Sequence, residues 1–128
     1  MASAPTLPTA AELEILRVLW AKGPSSVRDV HDLIGGGTSY TTTLKLLQMM
    51  HAKRLVKRDD ARRQHIYEAL VDEHRTLDGL VTRFVDHIFE GSAGALALRA
   101  LGDGSASRAE LAELKRLIRQ LERNGSGP

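Results

Sequence analysis

The chain has 128 residues, of which 42% are hydrophobic and 27% charged, a composition typical of a folded globular protein. It contains no cysteine, which excludes disulfides, thiolate metal sites and cysteine nucleophiles. The N-terminus lacks the pattern of a signal peptide, and no apolar run approaches the roughly 18 residues of a membrane span. We therefore expect a cytoplasmic protein without membrane insertion.

The net charge of +2 is distributed unevenly along the chain. Residues 1–71 hold ten Lys and Arg against seven Asp and Glu, whereas residues 72–128 hold eight against nine. Residues 45–63 alone contain seven basic and two acidic side chains. Such a stripe is commonly just a solvated surface, but it also suits contact with the phosphates of a nucleic acid.

Two capping-box pairs open the first two predicted helices. Thr9 with Glu12 begins a helix that a Gly-Pro pair ends, and Ser26 with Asp29 begins a shorter helix that three consecutive glycines, 35–37, end. Helical spacing predicts that these helices bury Leu13, Leu16, Leu19, Trp20, Val27, Val30, Leu33 and Ile34.

A third helix is predicted from a cap at Thr38 or Ser39 to about residue 54. Its inward positions are expected to be Leu44, Leu47 and either Met50 or Leu46. Two helices joined by a short glycine-rich turn favour a helix-turn-helix.

The residue pattern changes after the third helix. Residues 55–58 and 65–70 predict two short strands joined by a turn at 59–61. Three helices followed by a hairpin is the order of a winged helix, in which the hairpin forms the wing.

The rest of the chain predicts three more helices. The first runs from Asp72 to Gly91, the second begins at a Ser92 cap, and the third begins at Ser107 with Glu110. Helices this short cannot bury their apolar faces alone, so we expect these faces to pair with a second copy of the chain. The residues assigned to this dimerisation surface are Leu77, Leu80, Phe84, Ile88, Leu96, Leu111, Leu114, Ile118 and Leu121.

The predicted fold class is therefore mostly α-helical with a small β-hairpin. An N-terminal winged helix-turn-helix is expected over residues 1–71, a C-terminal helical dimerisation domain over 72–124, and a flexible tail over 125–128.

This organisation predicts a site for duplex DNA. A recognition helix enters the major groove by its N-terminus, so its first two turns reach the base edges. The predicted contacts from these turns are Ser39, Tyr40, Thr41, Thr42 and Lys45. The predicted backbone contacts are Lys53, Arg54, Lys57, Arg58, Arg62 and Arg63. For the run Thr41–Thr43, the alternative that weak helix formers simply face water stays open.

Catalytic and metal chemistry find little support in the sequence. No nucleophile and base stand in a recognisable arrangement, and the five histidines form no pair at metal-binding helical spacing. Asp86, His87 and Glu90 form the one cluster that could hold a metal, and a polar surface explains them better. We expect no enzyme activity, cofactor or metal.

Five segments, in order along the chain, resemble the penicillinase-repressor family of bacterial transcription regulators, the BlaI/MecI/CopY group. They are residues 12–20 (ELEILRVLW), 40–44 (YTTTL), 55–58 (LVKR), 91–96 (GSAGAL) and 110–114 (ELAEL). The resemblance implies a homodimeric repressor that binds a palindromic operator through its N-terminal winged helix. In related regulators a membrane-bound sensor metalloprotease triggers cleavage of the repressor in its dimerisation domain.

The chain departs from relatives in ways that bear on mechanism. β-Lactam-responsive members carry an Asn-Phe cleavage pair, and the aligned region here is Leu98, Arg99, Ala100 and Leu101. A β-lactam signal is therefore not predicted, and packing in a dimer core also explains the two leucines. Copper-sensing members use C-terminal cysteines, which this chain lacks. Arg54 replaces a glycine that closes the third helix in many relatives. Two interpretations of Arg54 stay open, a phosphate contact or simply an exposed residue.

Two alternative functions stay open. One is a winged-helix regulator that a small-molecule effector, and not proteolysis, releases from DNA. The other is a winged-helix protein that serves only protein–protein contacts, since a fold does not dictate a function.

Overall fold

The computed structural model describes residues 6–35, 37–61 and 63–125. Gly36 of the predicted turn, the predicted DNA contact Arg62 and residues 126–128 of the predicted tail lie outside this described part. The chain divides into two compact units, one ending at Thr82 and the other beginning at Arg83. The functional division expected at residue 71 stays a prediction.

In the described residues, six helices and three strands form in the order expected from the sequence, with one strand added. They are α1 (Ala10–Lys22), β1 (Ser25–Ser26), α2 (Val27–Ile34), α3 (Tyr40–Ala52), β2 (Val56–Asp59), β3 (Ile66–Ala69), α4 (Glu73–Ile88), α5 (Ala93–Leu101) and α6 (Arg108–Arg123). The predicted fold class, mostly α-helical with a small β element, is confirmed.

Local side-chain bonds fix where the helices begin. At α1 the Thr9 hydroxyl accepts from the Glu12 amide at 3.2 Å, and the Glu12 carboxylate accepts from the Thr9 amide at 2.9 Å. The same reciprocal capping box opens α2, and it also opens α6 at Ser107. Each box satisfies amides that the first helical turn would otherwise leave unpaired, so these predicted starts are confirmed.

The sheet is larger than the predicted two-stranded hairpin. Strand order is β1-β3-β2, all antiparallel, with Ser25 opposite Tyr67 and Ser26 opposite Ile66. The two serines lack the alternating pattern that identifies a strand from sequence. They become one because β3 offers unpaired backbone groups on that edge.

The hydrophobic core of the first unit lies between the three N-terminal helices and the sheet. Trp20 packs against this core, and its indole Nε1 donates to the Val71 carbonyl at 3.0 Å. Leu33 was expected to be buried, but its side chain is 51% exposed because it lies to one side of the face that Val27 and Val30 bury. The buried core residues are Ile15, Leu16, Leu19, Val27, Val30, Leu47, Met50, Leu55, Val56 and Tyr67.

The second unit leaves most of its apolar side chains uncovered. Neither α5 nor α6 buries any residue, although both carry rows of leucines. In α4, Ile88 is 61% exposed. Exposed large hydrophobic residues of this unit are Phe84, Ile88, Leu98, Leu111, Leu117, Ile118 and Leu121. The predicted dimerisation residues Leu77, Leu80, Leu96 and Leu114 are half-buried.

Candidate nucleic-acid interface

The start of α3 carries the predicted contact residues, and the fold uses several of them. Ser39 caps the helix: its hydroxyl accepts from the Thr42 amide at 3.1 Å and lies 3.0 Å from the Thr42 hydroxyl. Both residues stay exposed. Thr41 and Lys45 are exposed as well, so the four polar side chains share the outer surface of this helix end.

Thr43, the last residue of the run predicted to face DNA or water, belongs to the core. It is fully buried, and its hydroxyl donates to the Ser39 carbonyl at 3.3 Å. The ring of His31 on α2 lies with Nδ1 2.9 Å from the same hydroxyl. Because a hydroxyl has one hydrogen to donate, His31 Nδ1–H is the donor in this second bond. The pair joins the two helices of the helix-turn-helix.

Tyr40 has a similar joining role while remaining 39% exposed. Its ring packs edge-on against His31 at 5.6 Å between centroids. The Arg28 guanidinium lies over the ring face, 4.6 Å from the centroid. This cation–π contact holds a positive charge beside the start of α3. Sequence reasoning missed Arg28 and His31, since nothing in their neighbourhood along the chain signals partners on another helix.

Lys53, a predicted phosphate contact, already has a partner inside the fold. Its Nζ donates to both carboxylate oxygens of Glu12, at 2.8 and 3.1 Å. Glu12 is 1% exposed, whereas the Lys53 side chain is 32% exposed. Burial raises the pKa of Glu12, but the bonds from Lys53 and Thr9 outweigh it and hold that pKa below its usual value of 4.5. The Lys53 ammonium therefore neutralises the buried Glu12 carboxylate, which leaves it less available to a DNA phosphate.

Arg54 closes α3 in the left-handed region, with φ at +65°. The amide of Arg54 donates to the His51 carbonyl at 3.1 Å, and that of Leu55 donates to Met50 at 2.9 Å. These two bonds make a Schellman cap, whose left-handed position favours glycine. Arginine has a Cβ that this conformation disfavours, so Arg54 is strained as well as exposed.

The wing, the hairpin of β2 and β3, carries both basic and acidic side chains. Lys57 pairs with Glu68 across the strands at 3.3 Å, and Arg58 Nε lies 2.7 Å from Asp60 on the turn. Arg63 is exposed, and the described residues offer it no ion-pair partner. Three of the predicted cations form no ion pair with an acidic side chain in the described part of the chain. They are Lys45, Arg54 and Arg63.

The predicted cleavage region lies in the last turns of α5. Leu98 is 78% exposed, and Arg99 and Ala100 are exposed too. Leu101 is half-buried and lines an open cleft of about 470 Å³ between α5 and α6, with Glu110 and Leu114 on the opposite wall.

The described residues offer neither a metal-binding cluster nor a membrane-spanning helix. They contain no group of three or more histidine, aspartate or glutamate side chains close enough to hold a metal ion. His87, one of the candidates, bonds through Nδ1 to the Arg83 carbonyl at 2.9 Å. Among the described helices, none has the length and apolar character needed to cross a membrane.

A capped helix presents a polar outer face, a second helix packs against it, and a hairpin with the exposed Arg63 follows. This arrangement defines the winged-helix class of DNA-binding transcription regulators. Within that class, the chain belongs to the penicillinase repressor family, whose model matches residues 8–120. The protein is therefore a DNA-binding transcription regulator and not an enzyme.

Solved structures with a similar course of the chain include three bacterial regulators. Transcriptional regulator Tm0710 of Thermotoga maritima is 23% identical at a TM-score of 0.49, covering 94% of this chain and 80% of that one. A MarR family protein of Bacillus stearothermophilus is 20% identical at 0.49, covering 94% and 76%. BpsR of Bordetella bronchiseptica, whose DNA binding 6-hydroxynicotinic acid regulates, is 21% identical at 0.47, covering 91% and 76%. No curated protein matches the chain.

Proposed function

We propose that this protein is a cytoplasmic transcriptional repressor that binds a palindromic operator as a homodimer. The observation that carries the proposal is the contrast between two surfaces. The outer face of α3 is polar and cationic, whereas the outer faces of α4 and α6 are apolar. A twofold dimer built on the apolar faces carries two copies of α3, and two copies read the two halves of a palindrome.

Dimerisation follows from what a soluble protein tolerates at its surface. Phe84 and Ile88 on α4 are 49% and 61% exposed, and Leu111 and Ile118 on α6 are 40% and 52% exposed. Large apolar side chains exposed in such numbers favour an interface. A second copy supplies the same surface, so the pairing needs no other partner.

Affinity for DNA is assigned to the uncommitted cations. Lys45, Arg54 and Arg63 are exposed and face no acidic partner among the residues that the structure describes. Lys53 and Lys57 contribute less in this proposal, since each already lies beside a carboxylate. Arg62 keeps its predicted role as a backbone contact.

The experiment is a titration of the purified protein against its own upstream DNA at several salt concentrations. Lys45→Ala and Arg63→Ala should each weaken binding. Each removes one cation from both subunits, so the slope of log affinity against log salt should become less steep by about 1.8. Arg123→Ala, at the end of α6 and opposite its apolar stripe, is the matched control and should change neither value. Footprinting should protect two half-sites.

Failure to bind duplex DNA in a salt-dependent manner would replace this proposal with the protein-contact module. A single protected half-site, with no twofold partner, would retain the repressor and reject the palindrome.

Release of the repressor is proposed to follow from a membrane sensor metalloprotease system, acting on the Leu98–Leu101 region of α5. Accessibility supports the region as a target, since Leu98, Arg99 and Ala100 are all exposed. The test is to follow the intact chain by mass spectrometry in cells during induction. A fragment ending within α5 supports proteolysis. Induction with the chain intact favours the small-molecule alternative, for which the cleft beside Leu101 is the first place to search.

A further inference from the structure

The outward face of α3 extends further along the helix than its first two turns. Thr41, Lys45 and Gln48 are exposed at intervals of four and three residues, which places them on one side of the helix. Thr43 and Leu47 are buried on the opposite side. A groove that receives the helix along its length meets the side that carries Gln48.

The fold leaves few side chains on this face free to read bases. Ser39 and Thr42 bond to each other, and Thr43 is buried beside His31. Within the described residues, the amide of Gln48 makes no hydrogen bond, so both its oxygen and its nitrogen are available for a ligand.

We infer that Gln48 is a specificity-determining residue that reads an adenine in the operator. A carboxamide donates and accepts at once, and this pair of groups matches N7 and N6 of adenine in the major groove. Lysine only donates, and a threonine hydroxyl bonds to many base edges without discriminating among them. Gln48 is therefore the side chain of this face best able to discriminate one base from the others. The inference rests on the proposed function.

The reach of the helix is consistent with this assignment. At a rise of 1.5 Å per residue, Thr41 and Gln48 lie roughly 10 Å apart along the axis. Base pairs repeat about every 3.4 Å, so Gln48 addresses a base pair about three steps from the one beside Thr41.

The neighbouring residue supports an A·T pair at this end of the site. Met49 follows Gln48 on the outward surface and is 53% exposed, although methionine is apolar. An exposed apolar side chain on a recognition helix suits contact with the C5 methyl group of thymine. The two side chains together offer one adenine-specific and one thymine-compatible contact.

The first experiment selects binding sites from a randomised duplex pool with the full-length wild type, Gln48→Ala and Gln48→Glu. The wild type should require adenine at one position of each half-site. Gln48→Ala should lose that preference, with discrimination at the position falling about 5- to 100-fold. Gln48→Glu keeps the size of the side chain but only accepts, so it should also lose adenine and gain cytosine there.

The second experiment replaces the selected adenine of one half-site by 7-deazaadenine, which lacks the N7 acceptor. Wild-type affinity should fall about 2- to 10-fold, the effect of one lost hydrogen bond. Gln48→Ala should show no further loss on the same duplex, because its partner is already gone. Gln120→Ala, an exposed glutamine on α6 away from the apolar stripe, should behave as the wild type does in both experiments.

The outcomes separate this inference from the proposed function. If the wild type selects a site and Gln48→Ala selects the same site with the same base preferences, the inference is wrong and the repressor stands. If 7-deazaadenine weakens both proteins equally, Gln48 does not contact that base. If the wild type selects no sequence, the proposed function fails, and the reading of adenine fails with it.

Discussion

The pair of Glu12 and Lys53 gives the sharpest prediction about stability. The substitution Lys53→Met keeps most of the side chain's volume and removes the charge that neutralises Glu12. The carboxylate, 1% exposed, then retains only the hydrogen bond from the Thr9 amide. Breaking a fully buried ion pair costs about 3–5 kcal/mol. Because a third of the Lys53 side chain reaches solvent, we discount this to about 2 kcal/mol.

The pH dependence has a definite sign. Glu12 has a folded-state pKa below 4.5, so in the wild type it contributes stability that is present above pH 4.5 and is lost as the pH falls through the folded pKa. In Lys53→Met the bonds from Lys53 no longer offset burial, so the pKa of Glu12 should rise relative to the wild type. Protonation of Glu12 removes the unpaired buried charge of the variant. The difference in stability between the two proteins should therefore shrink as the pH falls.

The assay is urea denaturation at fixed protein concentration, from pH 7 towards pH 4, because dimerisation makes apparent stability depend on concentration. Lys57→Met is the matched control. It breaks the exposed pair with Glu68, whose side chains are 60% and 45% exposed, and should cost no more than about 0.5 kcal/mol. The reasoning is refuted if Lys53→Met costs no more than Lys57→Met, or if its cost does not shrink in acid.

Three further predictions concern the cap, the helix-turn-helix and the dimer. Arg54→Gly should raise the free energy of unfolding by up to about 1 kcal/mol, since φ is +65°, while weakening DNA binding; unchanged stability in urea would contradict the strain. Arg28→Ala should lower affinity for all duplexes alike and, with one cation lost from each subunit, make the salt slope less steep by about 1.8, measured by fluorescence titration; a loss confined to one sequence would point instead to base reading. Ile118→Asp should give a monomer in sedimentation velocity, whereas Gln120→Asp should stay dimeric. If both variants stay dimeric, the interface lies elsewhere.

Local signals made much of the fold readable from the sequence. A capping box joins residues three apart, so Thr9 with Glu12 predicts the start of a helix without knowledge of anything distant. The same holds for the starts of α2 and α6. The hairpin of β2 and β3 is also local, since its strands are neighbours along the chain.

The proposed DNA site was predictable only in outline. The sequence placed the exposed residues Thr41 and Lys45 on the recognition helix, and helical spacing counted on from them would have reached Gln48. It could not show that Thr43 is buried or that Lys53 is paired. Both depend on which neighbouring elements pack against α3.

What only the tertiary structure decided involves partners far apart along the chain. Glu12 and Lys53 are 41 residues apart, and β1 becomes a strand only where Ser25 meets Tyr67. The sequence by itself determined which segments are helical and which faces are apolar, because both follow from interactions within a few residues. Which charges are neutralised in the fold, and which remain for a ligand, depends on packing between elements, and no pattern along the chain encodes that directly.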